Sequence, residues 1–224
     1  MPRAGCLSFI VAAILMVLLP LVMMDLMSAA LLKLHLTPDM AVLIVFGVFA
    51  GSLVNLPVRR IVRSEPVPVD ALALFGLPGM WPRLQRVRHE TIIAVNVGGC
   101  LIPVGLAAYE AVRLIALRTD LPALATVVLL NVWVCHRLAR PVAGVGITLP
   151  ALVPPAIAAT GALLLAPANA TPVAFIAGVL GPLVGADLLH LRDVDRAFTG
   201  LLSIGGAGTF DGILLSGIVA LYLA

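Results

Sequence analysis

Charge is scarce in this chain. Only 11% of its 224 residues are Asp, Glu, Lys or Arg, against about 25% in soluble domains. So few charges cannot cover a water-soluble globule of this size. Cysteine is scarce too: Cys6, Cys100 and Cys135 are odd in number and scattered through apolar segments. That pattern excludes a disulfide framework and gives no metal-ligand spacing, so they read as small core residues. The signatures of soluble enzymes are missing: there is no glycine-rich phosphate loop, no HExxH and no GxSxG. No tandem repeat of fixed period is present. Neither a cofactor nor a metal is expected.

What is present is apolar. Hydrophobic residues make up 62% of the chain and the mean hydropathy is +1.15. The expectation is one all-α membrane domain over residues 1–224, with lipid as the solvent for much of its surface. A bilayer crossing needs about 20 mostly apolar residues. Seven stretches qualify: Leu7–Leu32, Pro38–Leu56, Thr91–Val112, Pro122–Leu138, Gly146–Ala166, Pro172–Leu191 and Phe198–Ala224. Thr37-Pro38 and Thr171-Pro172 look like helix starts, with threonine as N-cap and proline at the first helical position. The first stretch resembles a signal peptide with Ser28-Ala29-Ala30 as its cleavage site, but it is long for one and reads as a retained span.

The basic residues fix an orientation. With the N-terminus inside, inner segments hold Arg3, Arg59, Arg60, Arg63, Arg83, Arg86, Arg88, Arg137, Arg140, Arg192 and Arg196. Outer segments hold Lys33, Arg113 and Arg118. A ratio of 11 to 3 favours N-inside, C-outside and an odd number of spans. The pI near 9.1 therefore needs no nucleic-acid partner. The expected setting is the cytoplasmic membrane of a prokaryote, with lipids as the constant partner. Residues 57–90 form the one sizeable loop, basic and cytoplasmic. Val58–Val69 and Leu84–Val97 are rich in Val, Ile and Arg, with Pro66, Pro68, Pro78 and Pro82 between. The loop is either a short β-hairpin or an irregular stretch gripping anionic headgroups.

Acids inside spans are costly and default to function. Most of the 11 acids lie in loops or at span ends; two do not: Asp187 in Gly185-Ala186-Asp187, and Asp211 after Gly205-Gly206-Ala207-Gly208-Thr209-Phe210. A regular helix from Phe198 would carry Asp211 to about 20 Å along its axis, too deep to meet Asp187. The glycines weaken that helix, and an unwound stretch brings the two acids together. Asn55, Asn96, Asn131, His136, Pro150, Pro154 and Pro155 crowd the same half of the membrane. Together they suggest a polar cavity open to the cytoplasm. Competing structural readings stay open: Asp187 paired with His190 or Arg192, Asp211 capping a helix, and Gly178, Gly181 and Gly185 as one close-packing face. Glu110 and Arg113 form an expected i, i+3 pair at the outer side.

Four stretches carry a resemblance: Asn96-Val-Gly-Gly99, Gly144-Val-Gly-Ile147, Gly185-Ala-Asp187 and Ser203–Gly212. In them the chain resembles a bacterial and archaeal family of multi-pass proteins known only as a domain of unknown function. More distantly, it is similar to presenilin-type intramembrane aspartyl proteases. Those use two aspartates on neighbouring spans, one after a Gly-x-Gly motif, and a Pro-Ala-Leu motif on a third. Here Pro150-Ala151-Leu152 precedes the aspartates, and Thr209 and Phe210 separate Gly208 from Asp211. The resemblance implies Asp187 and Asp211 as catalytic residues acting on transmembrane peptides. Pro150, Ala151, Leu152, Gly206, Gly208 and Asn96 would serve substrate binding. Two alternatives stand beside it: a transporter or ion pathway using the same acids, and a noncatalytic membrane scaffold.

Overall fold

Apolar runs broken by Gly, Pro and Asn give helices that stop where those residues cluster. The computed structural model describes residues 3–69, 83–142, 146–191 and 200–224. Most of these residues are helical. Helix α1 spans Arg3–Leu32 and α2 Pro38–Gly51. A long hairpin follows, β1 Asn55–Val69 paired antiparallel with β2 Arg83–Asn96. Helix α3, Ile102–Leu117, is entered through a π-helical turn at Val97–Leu101. Helix α4 is Leu121–Leu138, followed by the small pair β3 Arg140–Val142 and β4 Gly146–Thr148. Helix α5 is Val153–Leu165, and α6, Ala170–Leu180, runs on as a π-helical stretch over Gly181–Leu188. Strand β5, Gly200–Ile204, pairs parallel with β2 to give the order β1-β2-β5. A short 3₁₀ turn at Gly208–Phe210 leads into α7, Gly212–Leu223.

Among the described residues, three helical stretches are long and apolar enough to cross a membrane: Val97–Leu117, Leu121–Leu138 and Pro167–Leu191. Helices α2, α5 and α7 are shorter, with 14, 13 and 12 residues. At 1.5 Å per residue they reach only about 18–21 Å. The second stretch therefore ends as helix at Gly51, not Leu56, because Asn55 and Leu56 begin β1. The third is strand through Asn96 and helix only from Val97. The fifth turns helical only at Val153, where Pro154 and Pro155 occupy the first turn, whose N–H groups need no helical acceptor. The last is not one helix: β5 and a glycine turn occupy its first half, and Gly205 and Gly208 have φ of 73° and 61°. The sixth begins at Pro167 with Thr171 inside it, so Thr171 is not its cap. Thr37 does cap α2, accepting from the Met40 N–H at 3.4 Å.

Helix α6 is the centre. Its Val173–Val179 stretch is buried throughout, and it packs on α3, α4, α5 and α7. A helix apolar on every side belongs inside a bundle. Helices α3 and α4 instead turn Tyr109, Val112, Ile115, Leu129 and Trp133 outward, as lipid-facing helices do. Close approach to α6 comes from its glycines, but on two faces. A Cβ at Gly178 would meet Ala220 and the Ser216 carbonyl of α7 at 2.9 Å. One at Gly181 or Gly185 would land on α4, at the Asn131 amide or the Val132 carbonyl. The single glycine face expected from spacing is thus split between two neighbours. Asn131, fully buried, donates to the Ala177 carbonyl at 2.8 Å and ties α4 to α6.

One end of the bundle gathers the ends of α1 and α7. Lys33 at the end of α1 donates to the Tyr222 carbonyl at 3.1 Å, and Tyr222 Oη donates to the Leu26 carbonyl at 3.0 Å. Near the starts of α4 and α6, Asn169 donates to Asp120 at 2.6 Å. Glu110 and Arg113 pair at 3.4 Å as expected, though the Glu110 side chain is buried. The opposite end holds the sheet, the two π-helical segments, Asp187 and Asp211.

Candidate functional site

Asn96 organises that second end. It ends β2, is wholly buried, and its amide group donates to the Ser52 carbonyl at 2.9 Å and to Asn55 Oδ1 at 3.0 Å. Its own Oδ1 accepts the Gly99 N–H at 2.8 Å, capping the π turn. Asn55 Oδ1 also accepts from Ser203 Oγ at 2.6 Å. One polar chain therefore links the end of α2, both hairpin strands, β5 and the start of α3. In this arrangement Asn96 spends its hydrogen bonds on the protein itself.

Glycines then let backbones touch. A Cβ at Gly99 would fall on the Gly205 carbonyl, and one at Gly98 on the Val48 carbonyl and Ser52. A Cβ at Gly205 would meet Cys100, and one at Gly208 would meet Ser52 Cβ at 2.5 Å. Both Gly205 and Gly208 sit in the left-handed region, where side chains are disfavoured. The glycine-rich stretch is thus an irregular loop seated on the Asn96–Gly99 turn.

The loop delivers Asp211 to the head of α7. Its Oδ1 accepts the Ile213 N–H at 2.9 Å, so Asp211 is the N-cap. This is the capping role left open by the sequence. Asp187 lies on the π-helical stretch Gly181–Leu188. Pro182 supplies no N–H to the ladder there, and π-helical insertions often mark functional sites. Asp187 is half-buried and has no hydrogen bond or ion pair among the described residues. The alternative partner His190 turns elsewhere, holding the Ala186 carbonyl at 2.9 Å and stacking on His136 with ring centroids 4.7 Å apart. Arg192, the other alternative, lies outside the described residues.

The π-helical stretch that carries Asp187 packs on α7, whose head is Asp211, and Cys100 packs on Gly205 in the loop before Asp211. Cys100 was legible in the sequence only as a small core residue. Its place against that loop depends on Gly99 and Gly205 closing together. Of the other sequence candidates, Pro150, Ala151 and Leu152 are exposed in the connection from β4 to α5. Gly208 is buried under Ser52, and Gly206 is exposed at the turn. Gly144 lies outside the described residues.

Fold and site together define a predominantly helical protein with helices able to cross a membrane and two acids on neighbouring elements near one end of the bundle. The chain belongs to the family described as protein of unknown function DUF1614, whose model matches residues 49–223. That match takes in the hairpin, the Asn96 turn, both aspartates and α7. No curated protein and no solved structure matches the chain, so the presenilin likeness finds no support there.

Proposed function

We propose that this protein is an intramembrane aspartyl protease of the prokaryotic cytoplasmic membrane, crossing it about seven times with its N-terminus inside. The observation that carries the reading is that Asp187 and Asp211 lie on elements packed against each other, with no ion pair to a basic side chain at either among the described residues. In this reading the two carboxyls meet and hold one proton between them. The ionised one draws a proton from water, and the protonated one donates to the departing amide. The short helices α2, α5 and α7 complete their crossings with the irregular segments beside them, and the basic hairpin stays on the cytoplasmic face.

Substrate positioning follows from the sheet. In the order β1-β2-β5, the outer edge of β5 is unpaired among the described residues. An extended peptide added to that edge gains backbone hydrogen bonds, and β5 leads directly into the Asp211 loop. The test uses purified protein in liposomes with synthetic single-span peptides. Asp187→Asn and Asp211→Asn should each lower cleavage by about 10²–10⁴-fold, the usual worth of acid–base catalysis. Cleavage unchanged in both variants would end the proteolytic account.

The half-length α7, opening on irregular backbone with an acid at its head, favours a cation pathway as the second reading. That reading expects ion flux into the same liposomes, lost in Asp211→Asn, with no peptide hydrolysis.

A further inference from the structure

A cavity of about 340 Å³ lies between the β4–α5 connection and the start of α7. Ile147, Leu149, Ala151 and Pro154 form one wall with Thr148, and Phe210 and Leu215 form the other with Ser216. Phe210 and Gly212, which flank Asp211 in the chain, both line it, while Asp211 itself does not. Whatever fills this space therefore lies next to the acid without displacing it. No charged side chain contributes to the wall. The volume sits at the small end of ligand pockets, about 300–1,000 Å³, which suits one bulky side chain better than a whole small molecule.

We propose that this cavity is a specificity pocket for one large, uncharged apolar side chain, of leucine to phenylalanine size, on a residue flanking the scissile bond. The inference rests on the proteolytic reading of Asp187 and Asp211 and adds what that site selects. The occupant follows from position, size and chemistry. A peptide laid along β5 reaches the Asp211 loop, and its next side chain meets the mostly apolar wall. A charged side chain would lose its water there with only the Thr148 and Ser216 hydroxyls, and no opposite charge, in return. Ala151, which sequence alone could offer only as a general substrate contact, lines this pocket.

Two measurements on the full chain in liposomes test the proposal. In the first, single-span peptides carry Phe, Leu, Ala or Lys at the residue flanking the cleaved bond, and kcat/KM is compared. Phe and Leu should exceed Ala by at least about 10-fold, since even one methylene in an apolar pocket is worth about 10–200-fold. Lys should be rejected. Ala151→Phe or Leu215→Trp, by filling the pocket, should bring the Phe-to-Ala ratio to one or below. A ratio that is flat in the unmodified protein, or unaltered in both variants, overturns the pocket while leaving proteolysis intact. The second measurement is independent of catalysis. Reaction of Ala151→Cys with a thiol reagent, against the unmodified chain as background, should be slowed by the Phe peptide and not by the Lys peptide. Selective protection without any hydrolysis supports the pocket and defeats the protease. Protection that follows lipid acyl-chain length and ignores the peptide shows a lipid occupant and overturns the proposal.

Discussion

Asn96 should be among the costliest polar residues to change, and its isostere should be no better tolerated than alanine. Three hydrogen bonds, at 2.9, 3.0 and 2.8 Å, converge on this buried side chain. Asn96→Ala leaves the buried Gly99 N–H and the Ser52 carbonyl without partners. An orphaned buried group costs about 1–3 kcal/mol. In a bilayer the reference state also finds partners, and side-chain bonds average nearer about 0.6 kcal/mol each. Three bonds and two orphans then give about 2–4 kcal/mol by the same measures. Asn96→Asp keeps the shape and the bond from Gly99. It replaces the donor facing Ser52 O and Asn55 Oδ1 by an acceptor, turning two attractions into repulsions. The loss should equal or exceed that of alanine. Unfolding in mixed micelles with increasing dodecyl sulfate, followed by far-ultraviolet circular dichroism, reads both values. A loss below about 0.5 kcal/mol, the scale of an ordinary surface change, or an aspartate variant as stable as the parent, would refute the network as the organiser of the site.

Gly185→Ala should cost about 1–3 kcal/mol in the same assay, because the new methyl falls on the Val132 carbonyl and Cys135. Gly105→Ala, whose methyl meets nothing within 4 Å on the outer face of α3, should be neutral or stabilising; equal losses at the two sites would contradict the packing argument. Gly205→Ala combines a left-handed φ with contact on Cys100, so peptide cleavage should fall with stability, and a fully active variant would show that the loop geometry is dispensable. Arg59 and Arg60 are exposed at the start of the hairpin, and each basic residue near an anionic surface is worth about 1 kcal/mol. Reversing both to Glu should shift the orientation of the chain in anionic liposomes, measured by protease protection of the hairpin; an unaltered pattern would show that these two arginines do not set the topology.

Much of the site's composition was legible before any coordinates. Asn96, Gly98, Gly99, Asp187, the glycine run and Asp211 stand out because polar and flexible residues are conspicuous in an apolar chain. The hairpin was legible as one of two readings, since Val, Ile and Arg alternate on both sides of a proline-rich middle. The ends of the helices were not. Hydropathy is blind to whether an apolar residue lies in a helix or a strand, so Thr91–Asn96 and Gly200–Ile204 read as membrane helix until β2 and β5 paired.

The sequence by itself determined the solvent, the approximate number of apolar segments and the identity of the two acids, because these depend only on composition and on the cost of charge in lipid. Tertiary structure alone decided that Asp211 heads a half-length helix and that Asp187 sits on a widened turn. It also decided that Cys100 packs on the loop before Asp211 and that a cavity opens beside Phe210 and Gly212. Those outcomes arise from backbone contact among Gly98, Gly99, Gly205 and Gly208, residues far apart in the chain. Glycine permits such contact but does not specify its partner, so the partner emerges only when the strands and helices pack.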